Sequence, residues 1–283
     1  MGLSWFGTSS AAVRRPMVGL LNSLQGSPAS AGVLRIGGNS QDRFQWRPGA
    51  SVRANTPCEG AINSGMVDAL LEVSRRTGWH VILGLNLRTG SPFDAASLAH
   101  YVVRHDTTHQ VLAFELGNEP NGYVQNTPYR YRMRAQTYLR ALRADPVTRH
   151  APIAGPALGN SASTAYIPAL RQAYGMPLPQ VTWHHYANRP TVQGLLEESV
   201  DTRWTSRIAE VAKAAGATPI RMDEGTSVGR GGLHRVSDVL ASSAWLVDAL
   251  LAGAQPGLAG CHVHQWDGYG FRAPCVYPRP DQP

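Results

Sequence analysis

Two glutamates carry the chemistry that this sequence can support. Glu119 sits in the stretch Phe114 to Asn121, Phe-Glu-Leu-Gly-Asn-Glu-Pro-Asn, directly after the apolar run Val111 to Phe114. Pro120 ends any regular structure immediately after it, as when a buried parallel strand emerges carrying a polar group. Glu224 closes a second short run, Thr218 to Glu224, Thr-Pro-Ile-Arg-Met-Asp-Glu. A carboxyl at a strand mouth lies half out of water, where its protonation can be tuned. Two glutamates at two strand ends are the minimum equipment for cleaving a glycosidic bond: one protonates the leaving oxygen, the other attacks the anomeric carbon. Alone, Asn118-Glu119-Pro120 reads as a helix cap and Asp223-Glu224-Gly225 as a turn. Together, at two strand mouths, they point to catalysis. Arg35 and Tyr186, each near the end of its own strand, are the candidates to hold the nucleophile ionised and aimed.

The elements that must position these residues alternate along the chain. Strands are expected at Met1 to Trp5, Gly32 to Ile36, His80 to Leu85, Val111 to Phe114, Ala151 to Ala157, Gln180 to His185, Thr218 to Glu224 and Gly260 to Gln265. Helices are expected at about Ala11 to Leu24, Met66 to Arg76, Ser97 to Arg104, Tyr129 to Ala144, Thr164 to Ala173, Thr205 to Ala215 and Val236 to Leu251. Residues 40 to 63 read as irregular, with Pro48 and Pro57 as breakers. Eight strands alternating with helices, with polar residues collected at the strand C-termini, describe an α/β fold, a (β/α)8 TIM barrel. The 283 residues, 43% hydrophobic, suit a single catalytic barrel over 1–283. That barrel is expected to be clipped after its eighth strand, with Trp266 to Pro283 following.

Composition narrows the partners. No run of about 18 apolar residues occurs, so no membrane span is expected, and no secretion signal is visible before Met1 to Phe6. The compartment stays open. The net charge is +7, and Lys213 is the only lysine, so nearly all of the positive charge is arginine. Arg130, Arg132, Arg134, Arg140 and Arg143 alternate with Tyr129, Tyr131 and Tyr138 on an expected helix. A plain solvated helix is the reading there, because no nucleic-acid motif accompanies it; no nucleic-acid partner is expected, and an acidic glycan suits the charge. Cys58, Cys261 and Cys275 match no zinc or redox spacing. A rival of another class rests on His184, His185, His262 and His264: His-X-His on a barrel strand can bind zinc, as in metal-dependent hydrolases. Adjacent His184 and His185 point to opposite faces of their strand, however, and only one can face the barrel. Hydrogen-bonded histidines, with no metal and no cofactor, are the preferred reading.

At these residues the sequence resembles the clan A glycoside hydrolases, and within them family 79, the heparanase and β-glucuronidase family. The matching stretches are Leu34-Arg35-Ile36-Gly37-Gly38-Asn39-Ser40, Leu83-Gly84-Leu85-Asn86, Glu115-Leu116-Gly117-Asn118-Glu119-Pro120-Asn121 and Trp183-His184-His185-Tyr186. Asp223-Glu224-Gly225-Thr226-Ser227 with Gly231-Gly232 completes the set, in the same order along nearly the whole chain. The resemblance implies a retaining β-glucuronidase with Glu119 as acid/base and Glu224 as nucleophile, acting on a glucuronate-containing glycan or glucuronide. It implies that Asn118 contacts the sugar 2-hydroxyl. It implies too that the backbone of Gly231 and Gly232, with Tyr269, holds the glucuronate carboxylate, and that no cofactor is needed.

Two departures stand out. Relatives carry an acidic residue at the end of the first strand, where this chain has Phe6. Relatives also have a β-sandwich domain after the barrel, which this chain is expected to lack. A truncated, inactive sugar-binding relative is therefore the alternative to an active enzyme.

Overall fold

The computed structural model of the chain describes residue 6 and residues 11–25, 31–50, 60–123, 125–159, 162–187, 189–198, 202–229, 232–254 and 258–264. Seven parallel strands form the main sheet: β1 (Val33–Ile36), β4 (His80–Leu85), β5 (Val111–Leu116), β6 (Ile153–Leu158), β7 (Val181–Tyr186), β8 (Ile220–Thr226) and β9 (Gly260–Val263), hydrogen-bonded in that order. The two outermost, β1 and β9, approach one another, so the sheet curls into a nearly closed barrel. Around it run α1 (Ala11–Ser23), α2 (Ser64–Thr77), α3 (Pro92–His105), α4 (Pro128–Ala144), α5 (Tyr166–Tyr174), α6 (Val192–Glu198), α7 (Thr202–Ala215) and α8 (Leu240–Ala254). This is the (β/α)8-type barrel that the alternation of elements predicts. The strand expected at Met1 to Trp5 lies outside the described residues, as do Trp266 to Pro283.

The barrel strands are apolar nearly end to end because helices cover one face and packed side chains fill the other. All of β6 is buried, and so is β4 after its first residue. Helix starts are fixed by caps that satisfy amides the first turn leaves free. Asn63 accepts from the Met66 amide at the start of α2, and Ser91 from the Asp94 amide at the start of α3. The second cap explains why α3 begins a turn earlier than expected: Ser91-Pro92 reads as loop, yet proline is well suited to the first helical position. Gly78 ends α2 in the left-handed region, its amide bonded to the Ser74 carbonyl. On α4 the face carrying Tyr131, Ala135, Tyr138, Leu139 and Leu142 is buried. Each such large side chain contributes roughly 1.5–3 kcal/mol by burial.

Three elements differ from expectation. Within the stretch read as irregular, β2 (Phe44–Trp46) pairs in parallel with β3 (Gly60–Ile62). Phe44 and Trp46 turn inward and Gln45 outward, but three residues are too short a run for alternation to register in sequence. Helix α6 was not expected either, since Gly194 and its short length mask the periodicity.

Candidate active site

The site is built on an irregularity in β8. Trp183 of β7 pairs with Met222, and His184 pairs with Glu224, which leaves Asp223 as one extra residue on β8. In a regular strand Asp223 and Glu224 would face opposite sides of the sheet. The bulge brings both round to the same arginine: Arg35 Nε lies 3.3 Å from Asp223 Oδ2, and Nη1 lies 2.7 Å from Glu224 Oε2. Gly225 makes the bulge feasible. A Cβ there would stand 2.3 Å from the His185 carbonyl oxygen.

Arg35, at the end of β1, is the hub. Its Nε and Nη2 donate to Glu115 Oε2 at 2.9 and 2.6 Å, and Nη2 also donates to Asn118 Oδ1 at 3.0 Å. Glu115 Oε1 accepts from the Thr182 hydroxyl at 2.6 Å. Burial pushes the Glu115 carboxyl up, but the Arg35 charge together with the hydrogen bonds from Thr182 and Arg35 holds it below the usual range. Arg35 is itself raised despite its burial, by Glu115 first and also by Glu224. Its fork therefore stays charged and holds four side chains from two other strand ends in one geometry.

Glu224 is anchored through both of its oxygens. Oε1 accepts from the Tyr186 hydroxyl at 2.5 Å, while Oε2 accepts from Arg35. Tyr186 has one proton, which goes to Glu224, so His264 Nδ1, 2.6 Å from the same hydroxyl, donates to it. Burial raises the Glu224 carboxyl, yet the charges on His184, His264 and Arg35 and the Tyr186 bond hold it well below the usual range. Burial also lowers His264 to about 4, so at neutral pH His184 and Arg35 supply that charge. Glu119 is placed differently. Its side chain is 34% exposed, and Oε1 lies 2.8 Å from His184 Nδ1. The residue sits in the left-handed region, φ 45° and ψ 55°, just before the 3-10 turn Pro120–Gly122, and makes no capping bond with its side chain. That unusual backbone turns the carboxyl off the strand axis toward the mouth. Burial lowers His184, but the surrounding carboxyl groups, Glu224 foremost, raise it to about 9, so it is cationic at neutral pH. One atom from each of Glu119, His184 and Glu224 lies within 4.8 Å of the others, close enough to surround a cation. Arg35 already bonds Glu224 and His184 already meets Glu119, so the three are read as proton-bearing groups rather than ligands.

Behind Asn118 a second buried cluster fixes the loop. Its side-chain Nδ2 donates to Asn39 Oδ1 at 3.2 Å. Asp42 Oδ2 accepts from the Tyr123 hydroxyl at 2.6 Å and from the Asn118 amide at 3.3 Å. Burial raises Asp42 to about 7, against the pull of those bonds.

The structure thus brings together Glu119, Glu224, Asn118, Arg35 and Tyr186. Gly231 and Tyr269 lie outside the described residues, whereas Gly232 is described, at φ 89°, with its amide donating to the Gly229 carbonyl. Of the paired histidines, His184 enters the barrel and His185 packs outside it between Trp204 of α7 and Trp245 of α8, with ring centroids 4.2 and 5.9 Å away. His262 meets Arg221 Nη1 at 3.1 Å. Phe6 is buried within the hydrophobic core. Cys261 is a free, partly buried thiol, while Cys58 and Cys275 lie outside the described residues. Sequence reasoning missed Glu115, Asp42 and the roles of Asp223 and His264. Glu115 did leave a signal: a carboxylate inside an apolar strand is costly unless it is paired. Asp42 left none.

No protein-family model matches the chain, and no curated protein matches it in sequence. Solved structures do match. A 4-O-α-L-rhamnosyl-β-D-glucuronidase from Fusarium oxysporum 12S superposes with TM-score 0.73 at 19% identity, covering 96% of this chain and 64% of that one. The likeness is one of fold, a (β/α)8-type barrel. An α-L-arabinofuranosidase from Thermotoga maritima follows, with TM-score 0.63 at 15% identity over 89% of this chain and 58% of that one. A monomeric β-xylosidase from Caulobacter crescentus CB15 gives 0.60 at 14% identity, over 93% and 58%. The chain spans less than two thirds of the length of each of these neighbours.

Proposed function

We propose that the protein is a retaining β-glycosidase of the family 79 type, with Glu224 as nucleophile and Glu119 as acid/base. The observation that carries this is the approach of the two carboxylates, whose nearest oxygens lie within 4.8 Å. That approach is on the side of the ~5–5.5 Å separation of retaining enzymes rather than the ~6.5–9.5 Å of inverting pairs. The surroundings divide the roles. Glu224 is kept ionised by Arg35 and oriented by Tyr186, as an attacking carboxylate must be. Glu119 faces the open mouth, within reach of a leaving oxygen, and His184 steadies it from behind. In the first step Glu224 forms a bond to the anomeric carbon while Glu119 gives its proton to the departing oxygen. In the second, Glu119 takes a proton from water, which displaces Glu224 and restores both groups. Asn118, aligned by Arg35 and Asn39, is positioned to meet the 2-hydroxyl.

The substrate class proposed is a glucuronide or glucuronate-containing glycan. Three things support it: the family 79 motifs, the +7 charge carried almost wholly by arginine, and a glucuronidase among the structural neighbours. Gly231, Gly232 and Tyr269 are the residues proposed to hold the carboxylate, with glycine letting backbone donors approach an anion closely.

The test is release of chromophore from an aryl β-glucuronide, beside aryl β-glucoside and β-xyloside, with and without a chelator. Glucuronide turnover that survives chelation and collapses in Glu224→Ala is expected. For Glu119→Ala the expected loss is about 10²–10⁴-fold, smallest with the best leaving group. Activity only on a neutral glycoside would keep the mechanism and overturn the substrate. Loss on chelation would point to a metal-dependent hydrolase, and a folded protein inert to all three would point to a sugar-binding barrel.

A further inference from the structure

The mechanism uses Arg35 and Glu224 but leaves Asp223 unexplained. Its side chain is wholly buried, and neither oxygen meets an N–H or O–H donor in hydrogen-bond geometry among the described residues. The nearest donor, Arg35 Nε at 3.3 Å, is already committed to Glu115 Oε2 at 2.9 Å. The groups facing Asp223 are Arg35 from β1, Glu115 from β5, His184 from β7, and Glu224 and Arg221 on its own strand. Asp223 Oδ2 and Glu115 Oε2 therefore crowd a single N–H of Arg35, at 3.3 and 2.9 Å. Two buried carboxyl groups crowded onto one N–H are relieved of their repulsion by a proton on one of them.

Which one holds the proton follows from the donors. Glu115 accepts twice from Arg35 and once from Thr182, the surroundings of an ionised carboxylate. Asp223 has no such support. Charge balance agrees: with Asp223 neutral, the cations Arg35 and His184 balance the buried anions Glu115 and Glu224, whereas an ionised Asp223 leaves one buried charge uncompensated. Burial and the neighbouring Glu115 charge both raise the Asp223 carboxyl, which Arg35 and His184 only partly oppose.

We propose that Asp223 is a neutral acid that donates its proton to ionised Glu115, and that it is a positioning residue keeping Arg35 shared between Glu115 and Glu224. Its consequence for catalysis rests on Glu224 being the nucleophile; the proton assignment does not. Asp223 Oδ1 is then a carbonyl acceptor, facing at 3.7 Å a His184 Nε2 that has no hydrogen-bond partner among the described residues. An ionised Asp223 would instead compete with Glu224 for the same guanidinium.

Asp223→Asn keeps the shape and an N–H donor but removes the titrating proton. Between the ordinary aspartate value of 3.8 and its raised folded value, the wild type binds one more proton folded than unfolded, so its stability falls as pH rises. The variant lacks that slope. Its folding constant relative to wild type, from denaturant unfolding, is expected to rise about tenfold per pH unit from pH 5 upward. Infrared spectra at pH 7 should show a protonated-carboxyl band in the wild type that Asp223→Asn loses. A pH-independent difference, an unchanged band, or an asparagine variant that does not fold would each overturn the assignment. For the positioning role, Asp223→Leu removes the donor, and the acidic limb of kcat/KM should move upward, with Asp223→Asn restoring it. Equal limbs in the two variants would overturn that role. Absence of turnover in every variant would fail the glycosidase reading, and the stability and infrared readouts would still decide the proton.

Discussion

At the scale of residues, the site is a set of charges arranged so that its two glutamates behave differently. Glu224 lies between an arginine and a tyrosine, whereas Glu119 touches a histidine and otherwise faces the mouth. Both glutamates, with Arg35, Asn118 and Tyr186, were legible in sequence as polar residues closing apolar runs. Asp223 was not, and Glu115 showed only as a carboxylate inside an apolar strand, because a buried carboxylate is intelligible only beside its partners, and Arg35 lies far from both in sequence. His184 gives a pH signature. Its folded value of about 9 stands above the ordinary 6.5, so its charge contributes stability fully below 6.5 and loses it as pH rises through about 9. The expected outcome is a loss of wild-type stability over that interval that a His184→Gln variant does not show, measured by urea unfolding at stepped pH. Parallel curves would mean that His184 is not charged in the fold.

At the scale of elements, strands deliver the chemistry and their irregularities aim it. Alternation predicts that neighbouring Asp223 and Glu224 face apart, yet the extra residue in β8 turns both toward Arg35. A bulge leaves almost no mark in a short apolar run, which is why the sequence reading stopped at a plain strand end. The helices were more legible, because α4 and α2 present apolar faces at helical spacing over three or more turns. Gly225 is where the bulge can be tested. An added methyl must displace the His185 carbonyl from 2.3 Å, so Gly225→Ala is expected to shift Glu224 and cut kcat by 10²-fold or so, the scale of a 1 Å misplacement. It should do so with a smaller effect on KM, read from initial rates with an aryl glycoside. Wild-type kcat in a folded Gly225→Ala protein would show that the bulge does not aim the nucleophile.

At the scale of the whole molecule, the barrel was the most legible feature of the chain. Repeated strand and helix signals reinforce one another, and each parallel strand must be joined to the next by a crossover. The outer surface was less so. Helix α8 is apolar on more than one side: Ala241, Trp245 and Ala249 are buried while Leu240, Val247 and Leu251 are exposed. Sequence periodicity cannot orient a helix of that kind. The whole barrel nonetheless serves one purpose in this account, which is to hold two carboxylates within 4.8 Å across its mouth. The most direct measurement is the anomeric configuration of the sugar first released from an aryl β-glycoside, followed by proton NMR before mutarotation. Double displacement by Glu224 and Glu119 predicts the β-anomer. An α-anomer formed first would mean a single displacement by water, and would contradict the roles assigned to both glutamates.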